Sequence, residues 1–153
     1  MKLTNRLRVL YAENNEDACF MLSKLLEFSG VEVSCAHTFK QAFDEARSKS
    51  FDVYLLGSKF SDGSDLELCR RLREFSPQIP IVFYSNDARE IDRQKGLATG
   101  AQAYLIKPEI DTVLPTILRL ASQVSDSQMP VKASTKGQNR NRKIASAQKS
   151  DTF

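Results

Sequence analysis

Four short stretches place chemistry-bearing side chains directly after apolar runs. Glu13-Asn14 follows RVLYA, Gly57-Ser58 follows DVYLL, Ser85-Asn86 follows IVFY, and Lys107-Pro108 follows AYLI. Together they offer a carboxylate, two hydroxyls and an ammonium. Such groups can hold a small anion or, with more oxygen donors, a divalent cation. They do not make a hydrolytic set. His37 is the only histidine, so a Ser–His–Asp or Cys–His arrangement has almost nothing to draw on; it reads as a loop or strand-end residue. Cys19, Cys35 and Cys69 are widely spaced and odd in number. They fit neither a disulfide framework nor a zinc site and read as buried reduced thiols. No enzymatic activity is expected.

These stretches belong to an alternating chain. Leu7–Ala12, Val31–Ala36, Asp52–Leu56, Ile81–Tyr84 and Ala103–Ile106 are short and β-rich, and three of them are nearly continuous apolar runs. Continuous apolar strands are buried on both faces, as in a parallel sheet. Between them lie helical stretches. Residues 15–29 align Ala18, Leu22, Leu25 and Phe28 as a buried face, with Gly30 as the stop. Thr38 caps a second helix and Ser64 or Asp65 a third, which ends before Pro77. Asp87 caps a polar fourth helix running to about Thr99. Thr112 caps a fifth, with Pro115 at its third position, where no internal N–H bond is lost. The expected fold is α/β, a five-stranded parallel sheet with helices on both faces and right-handed crossovers. In such a sheet ligands bind at the carboxyl ends of the strands, which is where the four polar stretches fall.

Hydrophobic residues make up 41% and charged residues 27% of the 153, ordinary for a globular domain. No apolar run is long enough to span a membrane, and the N-terminal stretch lacks an apolar signal core, so a cytoplasmic location is expected. The net charge of +3 is uneven. Residues 125–153 hold six basic and two acidic side chains, +4; subtracted from totals of 22 and 19, this leaves 16 basic and 17 acidic residues in 1–124, −1. The domain is read as 1–124, and 125–153 as a basic, disordered tail too poor in large apolar groups to offset its ordering entropy. The run Asn139–Ile144 lacks aromatic residues for stacking, so the tail is expected to solubilise, without direct DNA binding or membrane insertion.

Across roughly residues 6–124 the chain resembles a response-regulator receiver domain, in RVLYAENNEDACFMLSKLLEFSG, FDVYLLGSKFSDGSDLELCRRLR, PIVFYSND and GAQAYLIKP. The resemblance implies a doubly wound (flavodoxin-like) sheet of order 2-1-3-4-5 and a place in two-component phosphorelay signalling. Receivers accept a phosphoryl group from a histidine kinase on an aspartate after the third strand. Two acidic residues after the first strand help hold Mg²⁺, and a Ser/Thr and a Lys after the fourth and fifth strands contact the phosphoryl group. Matched by position, Glu13 stands at the first acid, Asn14 at the second, Gly57 at the acceptor, Ser85 at the Ser/Thr, Lys107 at the lysine and Tyr104 at the aromatic switch position.

Gly57 has no carboxylate to form an acyl phosphate, and Asn14 is neutral. The expectation is therefore a pseudo-receiver that acts by protein–protein interaction, with Mg²⁺ binding absent or weak and no other cofactor. A histidine kinase, an output protein or a second copy would bind at the face around Tyr104. Tyr104 either switches between buried and exposed positions or simply packs; both remain open. Two alternatives stand beside this reading: a phosphoryl acceptor at an unorthodox site such as Ser58, and a small-anion sensor using Ser85, Lys107 and the space at Gly57. Asp62 and Asp65 read as turn-former and helix cap, and Asp52 lies at the wrong end of its strand. With the acceptor carboxylate gone, Lys107 is expected to pair with Glu13 within about 4 Å, beside a cis Lys107–Pro108 bond.

Overall fold

The computed structural model describes residues 6–57 and 59–128, with side chains through Val124. Five strands, β1 (Arg8–Ala12), β2 (Glu32–Ala36), β3 (Val53–Leu56), β4 (Ile81–Ser85) and β5 (Ala103–Ile106), form one parallel sheet of order β2-β1-β3-β4-β5. Five helices connect and follow them: α1 (Glu16–Phe28), α2 (Phe39–Ser48), α3 (Asp65–Phe75), α4 (Glu90–Ala98) and α5 (Val113–Gln128). The three continuous apolar runs are β1, β3 and β4, and these are the inner strands, buried along nearly their whole length. The edge strands β2 and β5 are only partly covered.

Strand alternation divides the core in two. Leu10, Tyr54, Leu56, Ile81 and Phe83 face the α2–α3 side, with Leu68 and Leu72 of α3 packed on them. Tyr11, Val53, Leu55, Val82 and Tyr84 face the α1–α5 side, against Leu22, Leu26, Val113 and Ile117.

Local capping follows the sequence at two helices and departs from it at two others. Thr38 accepts from the Gln41 amide and Ser64 from the Glu67 amide, each closing a helix N-terminus. The α4 helix begins at Glu90 with Arg89 at its cap and no side-chain bond, so Asp87 is not the cap. Its carbonyl instead accepts from Tyr104. Thr112 ends a 3-10 turn, Ile110–Thr112, that runs straight into α5; its hydroxyl donates to the Glu109 carbonyl and caps nothing. Pro115 is the third residue of α5, as expected.

Two further expectations are corrected. The buried face of α1 is Cys19, Leu22, Ser23 and Leu26, not Ala18–Leu22–Leu25–Phe28: Leu25 is 51% exposed and Phe28 94%. The helix carries apolar residues nearly all round, so periodicity alone does not select the inner side. Cys19 and Cys35 form a disulfide, because the inner face of α1 sets Cys19 over β2 with a Cα–Cα distance of 6.4 Å, while Cys69 is a buried free thiol. The α5 helix runs to Gln128, with no breaker before Pro130. The rest of the tail lies outside the described residues. No helix among the described residues is long and apolar enough to cross a membrane.

Candidate functional site

The sheet register levels the carboxyl ends of four strands. Backbone bonds run from Glu13 N to Ala36 O, from Gly57 N to Ala12 O and from Lys107 N to Ser85 O, at 2.8, 2.7 and 2.8 Å. Glu13, Gly57, Ser85 and Lys107 therefore sit side by side along one edge of the sheet, at the place expected for function in this topology.

Gly57 and Ser85 line one cavity, and Glu13 and Lys107 meet beside it. Tyr11, Leu55 and Leu105, two residues before Glu13, Gly57 and Lys107, belong to the α1–α5 side of the core. Lys107 Nζ donates to Glu13 Oε1 at 2.6 Å, and the bond preceding Pro108 is cis, as the sequence led us to expect. Tyr11 Oη reaches the same oxygen at 3.4 Å, while Glu13 Oε2 accepts from the Asn15 amide at 2.9 Å. The Lys107 ammonium also lies 5.8 Å from the centre of the Tyr84 ring, a cation–π contact. Glu13 is 1% exposed. Burial, with the Glu13 carboxylate beside it, pushes the Tyr11 phenol well above its ordinary range.

Gly57 closes this cluster. A Cβ built at Gly57 would overlap Glu13 Oε1 and approach Tyr11 Cε1 to 2.9 Å. The Glu13 carboxylate thus occupies the volume in which any side chain at position 57 would begin. The longer arm of glutamate is what carries it there.

Ser85 stands two residues after Phe83, which belongs to the α2–α3 side. Its hydroxyl accepts from the Asp87 amide at 3.0 Å. It lines a cavity of about 220 Å³ with Asn14, Gly57, Lys59, Asp65, Asn86 and Asp87. Asp65, 8% exposed, accepts from the Leu66 amide at 2.9 Å. Burial first, and then the nearby Asp87 charge, hold its carboxyl above the usual carboxylate range against that bond. Neither Glu13 nor Lys107 lines this cavity.

Tyr104 sits beside the second group. Its ring packs on Phe83, centroids 5.5 Å apart, and its hydroxyl donates to the Asp87 carbonyl at 2.8 Å. Gly96 of α4 makes the space: a Cβ there would stand 2.8 Å from the Tyr104 ring. A second cavity of about 180 Å³ opens here, with Tyr104, Arg89 and Lys95 in its wall.

The response regulator receiver domain family matches residues 9–119. The chain belongs to this family. It is 31% identical over 124 residues to the transcriptional regulatory protein CreB of Escherichia coli K12, covering 78% of this chain and 54% of that protein. It is 32% identical over 127 residues to the transcriptional regulatory protein TctD of Salmonella typhimurium SL1344, covering 80% and 57%. The receiver chain therefore spans about half the length of these curated relatives. Among solved structures, a CheY-like receiver domain protein of Methanospirillum hungatei JF-1 superposes with a TM-score of 0.76 at 22% identity, covering 80% of this chain and 99% of that one. CheY4 of Vibrio cholerae superposes at 0.70 with 26% identity, covering 76% and 99%.

A receiver fold implies Mg²⁺, and the residues present do not fit it. Such an ion needs several outward-facing oxygen donors with carboxylate charge. Both Glu13 oxygens are turned inward to Lys107, Tyr11 and Asn15. Asn14 is neutral and Gly57 offers no side chain. Among the described residues no group of three or more His, Cys, Asp or Glu is placed to hold a metal.

His37 is the first residue past β2, its Nδ1 2.9 Å from the Glu13 carbonyl oxygen. Asp62 accepts from the Phe39 and Lys40 amides and so supports the start of α2 from a distance. Asp52 accepts from the Arg8 amide at the opposite end of the sheet. Ser58 lies outside the described residues. Tyr11, Asp65, Asp87 and Gly96 were not singled out for the site. Tyr11 hides in a strand run, and nothing local marks a helix-start aspartate as buried.

Proposed function

We propose that this receiver domain works in two-component signalling by protein–protein interaction, without aspartate phosphorylation. One observation carries the reading: the acceptor position is Gly57, and the Glu13 carboxylate fills the space where an acceptor side chain would stand. The Lys107 ammonium, which in the family meets the phosphoryl group, is bonded to that carboxylate instead. The pocket thereby holds a carboxylate of its own against Lys107, and the module keeps one arrangement. Mg²⁺ binding is absent or weak, and the domain catalyses no reaction of its own.

The partner is a histidine kinase or an output protein in the cytoplasm, bound at the face around Tyr104. That ring is half-buried, wedged against Gly96 and tied to the Asp87 carbonyl, so the face is presented in a fixed shape. Direct DNA contact is left to other chains or domains. The small-anion alternative is not favoured. Lys107 does not line the cavity beside Ser85, where the two carboxylates of Asp65 and Asp87 outnumber the one ammonium of Lys59.

The test is incubation with acetyl phosphate and Mg²⁺, read by intact mass, with beryllofluoride titration followed by amide NMR. The expected result is an unmodified mass and an unshifted spectrum. A hydroxylamine-sensitive phosphate on the protein overturns the reading.

A further inference from the structure

Cys19 stands in the first turn of α1 and is 1% exposed, and Cys35 stands one residue before the end of β2 and is half-buried. β2 is an edge strand, so no further strand covers Cys35. The bond between the two closes a loop that holds nearly all of α1, the turn at Gly30 and β2. Cys69 is buried in the other half of the core, its sulfur 3.8 Å from the Thr99 carbonyl oxygen. It is no partner for either.

Both cysteines adjoin groups that hold Glu13. The Cys19 amide donates to the Asn15 carbonyl at 3.0 Å, and the Asn15 amide donates to Glu13 Oε2 at 2.9 Å. Cys19 Sγ lies 4.0 Å from the carbonyl oxygen of Tyr11, whose hydroxyl meets Glu13 Oε1. On the other side, Ala36, next to Cys35, accepts from the Glu13 amide at 2.8 Å. The disulfide therefore fastens together the helix start and the strand end between which the Glu13 carboxylate is positioned.

We infer that Cys19 and Cys35 are a site of reversible thiol–disulfide exchange, and that their oxidation state sets how firmly α1 and β2 hold the Glu13–Lys107 pair. The inference rests on the cytoplasmic signalling role proposed above, because disulfides in that compartment are usually transient and catalytic or redox-sensing. Cys35 is the sulfur open to attack, and the buried Cys19 is the leaving group. A thiolate of glutathione or of a protein dithiol attacks Cys35 Sγ. The Cys19–Cys35 bond breaks, and its electron pair leaves on Cys19 Sγ, which takes a proton from water. A second thiolate then attacks the incoming sulfur and frees Cys35, which is protonated in turn. One protein disulfide becomes two thiols, and two thiols of the reductant become one disulfide. Oxidation is the same sequence reversed, with a disulfide such as oxidised glutathione as the oxidant. Reduction removes the covalent hold on the first turn of α1, so that turn opens locally more often.

The experiment equilibrates the purified full chain, without denaturant, in mixtures of reduced and oxidised glutathione. Samples are quenched in acid, then unfolded and labelled with a maleimide for intact mass. With three cysteines in the chain, the oxidised form takes one label and the reduced form three. The expected result is a reversible passage between one and three labels within the range of those mixtures. Amide NMR signals of residues 13–19 and 32–37 move with it, and those of α3 stay in place. Hydrogen exchange in the first turn of α1 is expected to be about tenfold faster in the reduced, still folded chain. The double variant Cys19→Ser with Cys35→Ser is expected to show the reduced spectrum in every mixture. A bond that glutathione never opens is purely structural and overturns the proposal. So does a reduced chain that unfolds, or one whose spectrum and exchange match the oxidised form. Neither readout involves a phosphoryl group, so this test and the acetyl phosphate test of the preceding reading fail separately.

Discussion

Lys107 Nζ and Glu13 Oε1, 94 residues apart in sequence, meet at 2.6 Å with side chains 15% and 2% exposed. The contact joins the ends of β1 and β5, which are not neighbours in the sheet. Removing one member takes the counter-charge from the other inside a buried cluster, a loss of about 3 kcal/mol. Lys107→Met, which keeps the aliphatic stem, is expected to lower unfolding free energy by about that amount in urea titration. The double variant with Glu13→Gln is expected to lose less than the two single changes added together. Strict additivity would show that the pair contributes no coupling.

Reinstating an acceptor is not a one-residue change. Gly57→Ala is expected to cost about 1–3 kcal/mol by overpacking against Glu13 and Tyr11. Gly57→Asp alone should take no label from acetyl phosphate. Combining Gly57→Asp with Glu13→Asp and Asn14→Asp shortens the obstructing arm and supplies metal ligands, and labelling should then appear. Stoichiometric labelling of the single Gly57→Asp variant would refute the steric part of the argument.

Asp65 gives a pH signature. Burial and Asp87 raise its carboxyl above the ordinary value, outweighing the Leu66 amide and Lys59. The folded protein therefore holds this proton more tightly than the unfolded chain, and stability falls as pH rises from the unfolded value through the folded one. Asp65→Asn keeps the acceptor for Leu66 and removes the buried charge. It should melt a few degrees higher than the parent at neutral pH, and the gap should close as pH drops below the usual carboxylate range. A gap that widens on acidification would reverse the sign and refute the assignment.

Tyr104 is held by fit as well as by its hydrogen bond. Tyr104→Phe is expected to lose about 1 kcal/mol, the net worth of a typical bond. Gly96→Ala should lose more, about 1–3 kcal/mol, because the added methyl meets the ring. Ring NMR signals of Tyr104 should move in the Gly96→Ala variant and broaden if the ring is expelled. An unchanged spectrum at wild-type stability would mean that α4 yields instead.

Strand and helix order were legible because they depend on local period. The apolar runs of β1, β3 and β4 mark the inner strands, and the polar residues after them fall at the carboxyl edge whatever else the chain does. The absence of a carboxylate at Gly57 and the approach of Lys107 to Glu13 could also be read in advance, since rank at the strand ends and the chemistry of a buried ammonium constrain both. Tertiary structure alone decided what surrounds those atoms. Glu13 bonds Lys107, while Asn14, Gly57 and Ser85 line an acidic cavity with Asp65 and Asp87, a division that no local pattern records. The inner side of α1 was chosen by fit against β2 and α5, because a helix apolar all round has no preferred side until something packs on it. The same choice brought Cys19 to Cys35 and left Phe28 in solvent. Sequence period records which side chains share a face; which face meets which neighbour is set only when distant segments are packed together.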